Sequence, residues 1–254
     1  ALRILLERER EIRAFVPENY WVLSALVAGR KGDEIALTCV EEPKSIEEAE
    51  RILAVGRRGS WSVAEVAETD TTRSPRAPFT TSTLQQAASS RLGFSPARTM
   101  RTAQQLYEQG HISYMRTDST ALAEEAQRAI GATIAKTFGE RYVALRRYKT
   151  TSKSAQEAHE AIRPTDITRS GAGATQEQKR LYALIRARTL ASQMAAAELV
   201  KTKITAHVRP PAGEKDVPAF AATGSRTKFD GWLAADNASR AEDVELPKVA
   251  QGEA

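Results

Sequence analysis

Stretches patterned as β-strands lie at both ends of this chain, and the residues between them are patterned as helices. That split constrains the fold more than any other feature of the sequence. YWVLSALVAG (20–29), DEIALTCVEEP (33–43) and WSVAEVAET (61–69) carry strand-like apolar patterning. After about residue 196 the pattern returns in LVKTKITAHVR and VPAFAATGSR, followed by a polar tail through FDGWL and LPKV. The reading is an α+β chain in which a helical domain, residues 77–195, is inserted into a β-rich region made of 17–76 and 196–254. Such an insertion needs its two ends close together on the domain surface. The linker TRSPRAP, with two prolines, places a boundary near residue 76.

Helix ends are marked in several places. ALRILLEREREIRAF reads as a helix stopped by Pro17. Ser45, with Glu48 three residues on, forms a capping box ahead of IEEAERILAVG. Ser82 or Thr83 is expected to cap TLQQAASSRLGF, which Gly93 closes, and Ser95–Pro96 opens a helix that Gly110 follows. ISYMRTD is an extended connector into a helix through ALAEEAQRAIGATIAKTFG. Helices are also expected in QEAHEAIRP and in TQEQKRLYALIRARTLASQMAAAEL.

Charge and cysteine usage narrow the function classes. No apolar run approaches the roughly 20 residues that span a bilayer, and no basic-then-apolar leader opens the chain. Secretion is not expected, and the abrupt charged start reads as an internal piece of a longer protein. Cys39 alone makes neither a disulfide within the chain nor a zinc cluster, and reads as a buried strand residue. The net charge is a modest +5, but Arg91, Arg98, Arg101, Arg116, Arg141, Arg146, Arg147, Lys149, Lys153 and Arg163 all fall in the central part, where contacts to a phosphate backbone are expected. His111 and His207 read as surface residues.

The most informative stretch is GHISYMRTDST, residues 110–120. In an extended segment Tyr114 and Arg116 share a face. A phenolate is a nucleophile for a phosphodiester, and a planar guanidinium can hold the phosphate oxygens and favour the phenolate. Tyr-x-Arg alone fits equally well a packing tyrosine with its hydroxyl toward solvent. Asp118 and Ser119 fit a turn and an N-cap for a helix from Ala121, and His159 alone fits a helix-surface or core histidine.

SYMRTDS resembles the active-site tyrosine motif of type IA DNA topoisomerases, in the bacterial topoisomerase I branch rather than topoisomerase III. PFTTSTLQQAASSRLGFS (78–95), AQQLYEQGHISYMRTDST and SAQEAHEAIRPTD (154–166) resemble that family in its order and near its spacing, as do the opening ALRILLEREREIRAFVPENYW and the late FDGW. The resemblance implies that Tyr114 is the nucleophile that becomes linked to the 5′ phosphate of cleaved single-stranded DNA. It implies that Arg116 positions the scissile phosphate and that His159 assists cleavage or religation. Asp118, Arg163, Lys153 and Arg98 are expected along the DNA path, Asp118 also supporting the Arg116 region. The family's architecture implies that residues 77–195 are the tyrosine-bearing domain III, that 17–76 with 196–254 form the arch, domain II, and that 1–16 are a remnant of domain IV.

The family's metal domain, toprim, carries an Asp-x-Asp-x-Glu cluster, and no Asp-x-Asp occurs in these 254 residues. Mg²⁺ is therefore expected in the intact enzyme on toprim, with no metal or cofactor site in this chain. The chain alone is expected to be catalytically incomplete, a monomer, and a partner of single-stranded DNA and of the toprim and domain IV segments. Its expected place is the cytoplasm, at the nucleoid, with no membrane association. The alternative is a single-stranded DNA-binding module without catalysis, in which Tyr107, Tyr114 and Phe94 stack on bases. A tyrosine recombinase or type IB enzyme would place its Arg/His/Arg set ahead of the tyrosine, which this order does not match.

Overall fold

The computed structural model describes residues 2–29, 34–148 and 160–253 of the chain, and Lys149, Lys153 and His159 lie outside them. The chain divides into two compact units: Ala1–Thr69 with Lys201–Arg226 and Asp243–Ala254, and Asp70–Val200 with Thr227–Glu242. The α+β expectation holds, because strands from both ends of the sequence join one sheet while the middle is helical.

In the first unit, α1 (Leu2–Ala14) buries none of its residues. Its surface carries the pairs Arg3–Glu7, Glu9–Arg13 and Arg8–Glu11 at 2.8–3.1 Å, each worth a few tenths of a kcal/mol on a helix. β1 (Ser24–Ala28) and β2 (Glu34–Cys39) pair antiparallel, Ser24 opposite Thr38 and Ala28 opposite Glu34. The sheet runs β1-β2-β5-β4-β3, with β3 at Ser60–Arg73, β4 at Ala197–Arg209 and β5 at Phe220–Phe229. β5 therefore lies between β2 and β4, pairing antiparallel with β2 through Thr38–Ala221 and Cys39–Phe220. The division between the units falls within β3, β4 and β5.

α2 (Ile46–Arg58) covers this part of the sheet. Ala49, Ile52 and Val55, spaced three apart on one helix face, meet Ile35, Leu37 and Cys39 of β2 and Ile204, Ala206 and Val208 of β4. The two-residue period on each strand places these side chains on one face. Cys39 is buried as expected, and burial raises its thiol pKa. Only half of the expected capping box forms. Ser45 accepts the Glu48 amide at 3.2 Å, but the Glu48 carboxylate takes both arms of Arg51 at 2.8 and 2.9 Å instead of returning to the cap. Two charge-assisted bonds outcompete one backbone N–H, and they hold the Glu48 pKa down.

The second unit is built on α3 (Thr81–Leu92), α4 (Pro96–Glu108), α5 (Glu124–Phe138) and α6 (Gln176–Ser192). Leu84, Phe94, Leu106, Leu181, Tyr182 and Ile185 form one core, and Ile130, Ile134, Leu190, Met194, Trp232 and Leu233 a second. Ser95 caps α4 with Pro96 at its first turn, and Gly93 closes α3 in the left-handed conformation, as expected. The α3 cap differs: Thr80, not Ser82 or Thr83, is the N-cap, and Thr83 completes its capping box. Residues 160–164 are not helical. Ile162 bridges Phe79 and Pro164 bridges Ile112, so this segment spends its backbone groups on long-range partners.

The FDGW stretch locks the second core. Gly231 sits at φ +50°, and a Cβ there would stand 2.5–2.6 Å from the carbonyl oxygens of Ala196 and Ala195. Trp232 donates its indole N–H to the Arg73 carbonyl at 2.8 Å and its amide to Ala195 at 2.9 Å. Gly231→Ala is expected to cost about 2–4 kcal/mol, because backbone strain and a backbone clash add. Gly93→Ala, left-handed but in open space, should cost only about 1–2 kcal/mol. Thermal melts of both variants decide this, and equal losses would show that the close approach at Gly231 is immaterial.

Candidate active site

α4 ends at Glu108, and Gly110 (φ +71°) turns the chain, its amide and that of His111 bonding back to Tyr107 and Leu106. Residues 111–119 then run without regular ladder pairing, touching Pro164 through the single bridge at Ile112. Burial nevertheless alternates with a period of two. Met115, Thr117 and Ser119 are buried, while Tyr114, Arg116 and Asp118 are exposed. Tyr114, Arg116 and Asp118 are thus each exposed between buried neighbours, although the chain bends at Met115 and Arg116 rather than running fully extended.

Distant residues hold this connector. The Thr81 amide donates to the Thr117 carbonyl at 2.8 Å, and the Thr81 hydroxyl accepts the Thr117 amide at 2.9 Å. The same hydroxyl lies 2.8 Å from the Met115 carbonyl and 3.1 Å from that of Thr117. On the other side Ser113 donates its amide to the Arg163 carbonyl and its hydroxyl to the Ala161 carbonyl, and accepts the Arg163 amide, at 2.7–2.9 Å. Thr117 and Ser119 hydroxyls accept the amides two residues on. Ser119 is therefore a turn residue and not the N-cap of α5, which starts at Glu124. The amide of Ala123, at the cap position, is taken by the Glu160 carboxylate at 2.6 Å.

The Tyr114 ring stands edge-on to Tyr107, centroids 5.3 Å apart, and the residue is 46% exposed. Its hydroxyl makes no hydrogen bond to any described residue. Arg116 and Asp118 likewise make no hydrogen bond or ion pair with described residues. A phenol, a guanidinium and a carboxylate are thus each exposed to solvent, with no hydrogen bond or ion pair to a described residue.

Most other arginines of the central part are engaged. Arg163 forks onto Glu160 at 2.8 and 3.4 Å and donates to the Pro164 carbonyl at 3.0 Å. Arg98 pairs with Glu177 and lies over the Phe94 ring at 4.5 Å. That pairing raises the Arg98 pKa and lowers that of Glu177. Arg147 pairs with Glu124, Arg146 bonds the Met194 carbonyl, Arg141 covers Phe229, and Arg91 forks onto buried Asp236. Arg101 keeps its guanidinium without a hydrogen bond or ion pair among the described residues. Phe94 is buried, so the base-stacking role weighed for it does not hold. Tyr107 and Tyr114 remain accessible.

His207 is exposed, but His111 is half-buried, edge-on to Tyr182 and 3.4 Å from Arg169. Among the described residues no three or more His, Cys, Asp or Glu converge to hold a metal ion, and no helix is long and apolar enough to cross a membrane. Sequence reasoning missed Thr81 and Ser113 as residues that hold the connector, and Glu160 as the carboxylate that takes the Ala123 amide. Local pattern carries no signal for them, since each acts on residues at least 30 positions away.

A family model described as DNA topoisomerase matches residues 1–254. The chain is 40% identical over 265 residues to DNA topoisomerase 1 of Pseudomonas aeruginosa, covering all of this chain and 30% of that protein. It is 39% identical over 266 residues to the Salmonella typhimurium protein of the same name, again covering all of this chain and 30% of the relative. Full-length topoisomerase I from Thermotoga maritima superposes with a TM-score of 0.77 at 31% identity, over 99% of this chain and 41% of that one. The chain therefore spans about a third of the length of these relatives.

Proposed function

We propose that this chain, which belongs to the bacterial type IA DNA topoisomerases, supplies the nucleophile with which such an enzyme opens one DNA strand. The observation that carries the reading is that Tyr114 and Arg116, two residues apart, are both exposed and make no hydrogen bond or ion pair to described residues. The Tyr114 oxygen attacks phosphorus in single-stranded DNA, the P–O3′ bond breaks, and the proton passes to the 3′ oxygen. Arg116 holds the non-bridging oxygens through its planar fork. The phosphotyrosyl ester conserves the energy of the broken bond, so the released 3′ hydroxyl can reverse the step without ATP. Relaxation of negatively supercoiled DNA follows when another strand passes through the gap.

In this reading residues 77–195 are the tyrosine-bearing domain, 17–76 with 196–254 the arch, and 1–16 part of a neighbouring domain. Pro75–Pro78 and Ala195–Ala197 are the connections that absorb arch opening. His159 assists cleavage or religation, Arg98, Lys153 and Arg163 lie along the DNA path, and Asp118 supports Arg116. In this reading Mg²⁺ is held by the toprim part of the enzyme; among the described residues no three or more His, Cys, Asp or Glu converge. The chain alone is incomplete, acts as a monomer with single-stranded DNA in the cytoplasm, and needs the toprim and domain IV segments.

The test uses a single-stranded oligonucleotide labelled at its 3′ end, with Mg²⁺. One tube holds the chain alone, and the other adds the separately made toprim-containing part of the enzyme. Label is expected on the protein in a denaturing gel only in the second tube. Transfer in the first would overturn the incompleteness. No transfer in either, with both parts folded and binding DNA, would leave a stacking module built on Tyr107 and Tyr114.

A further inference from the structure

We infer that Thr81 is the positioning residue of the Tyr114–Arg116 segment, an inference that rests on the topoisomerase reading above. Among the described residues no partner holds the Arg116 side chain, and the contacts that do bear on its direction are those to its backbone neighbours. Thr81 grips that backbone on both sides of Arg116. Its hydroxyl reaches the Met115 carbonyl at 2.8 Å on one side and accepts the Thr117 amide at 2.9 Å on the other. Its own amide donates to the Thr117 carbonyl at 2.8 Å. That amide is one of the helix-end donors left without an acceptor inside α3, so the helix N-terminus is spent on the connector.

Neighbouring residues leave Thr81 free for this task. The α3 capping box is made by Thr80 and Thr83, and so the Thr81 hydroxyl is not needed to end the helix. The side chains on either side of Arg116, Met115 and Thr117, are buried at 1% and 7% exposure and cannot swing out to compensate. The catalytic arginine is therefore aimed from a helix 34 residues upstream of Met115. A shift of the order of 1 Å at such a site costs about 100-fold in rate.

The two-part cleavage mixture reads this directly. Thr81→Val keeps the shape and removes the hydroxyl. It is expected to slow formation of the covalent adduct roughly 10- to 100-fold while leaving oligonucleotide affinity near wild type, and Thr81→Ser should restore the rate. Thr133→Val, which removes a buried hydroxyl bonded to the Ala129 carbonyl within α5, controls for loss of stability and should leave the rate unchanged. If Thr81→Val does not fold, Thr81→Ala against Thr81→Ser asks the same question. Wild-type rate in the hydroxyl-free variants would overturn the inference, as would equal slowing in Thr81→Ser or Thr133→Val. Tyr114→Phe run in parallel separates the two ideas: an adduct that persists without the phenol removes the underlying reading, whatever Thr81 does.

Discussion

Tyr114→Phe in the complete enzyme is expected to abolish covalent adduct formation and relaxation, while DNA affinity and melting temperature stay near wild type. The Tyr114 hydroxyl has no hydrogen-bond partner among the described residues, so its removal leaves no buried group unsatisfied. The ring that meets Tyr107 edge-on is kept. The stability change should therefore fall within about 0.5 kcal/mol, as for a surface substitution. The rate has no such shelter. Loss of a covalent nucleophile removes the path itself, a fall of the order of 10⁴- to 10⁶-fold. Arg116→Ala stabilises the transition state less well but keeps the nucleophile, so about 10²- to 10³-fold is expected there. Single-turnover label transfer measures both. Relaxation surviving in Tyr114→Phe would end the nucleophile assignment.

Much of the fold was legible because its signals are local. Ser95–Pro96 and Gly110 bracket α4, Gly93 closes α3, and the two-residue period of EIALTC buries Ile35, Leu37 and Cys39 as a strand should. Misreadings arose where long-range partners decide. AHEAIRP looks helical, yet Ala161, Ile162 and Arg163 bond to Ala121, Phe79 and Ser113 across the fold. α5 starts three residues after the expected Ala121, because Ser119 closes a turn and Glu160 caps the helix from a distance. The central arginines gave a similar lesson. Their positions suggested a phosphate track, but Arg91, Arg98, Arg147 and Arg163 meet carboxylates that sequence spacing does not reveal. The exposure of Tyr114 and Arg116 was readable from a two-residue period, whereas the Thr81 grip on the residues beside Arg116 was not.

Asp236→Asn should be the most destabilising polar substitution in the second unit, at about 3–5 kcal/mol. Asp236 is 3% exposed and holds Arg91 through two bonds of 2.7 and 3.2 Å, with Ser239 closing the cluster at 3.0 Å. Arg188, 7% exposed, lies over the Phe79 ring at 4.3 Å. Burial pushes the Arg188 guanidinium down to about 10, Asp236 opposes that shift, and Arg91 and Arg76 add to it. One buried carboxylate therefore balances more than one cation. Removing its charge leaves buried Arg188 without the carboxylate that opposes Arg91 and Arg76, and leaves Arg91 without its partner, which costs more than the lost hydrogen bonds. A fall in melting temperature of the order of 10 °C is expected. Arg188→Met in the Asp236→Asn background should recover part of the loss, since it removes one uncompensated charge, while alone it should be near neutral. The two substitutions must then be non-additive. The effect should reach the active face as well, because Phe79 under Arg188 pairs with Ile162, next to the Ala161 and Arg163 that hold Ser113. Additive losses in a double-mutant cycle would show that Arg188 and Asp236 do not share one charge balance.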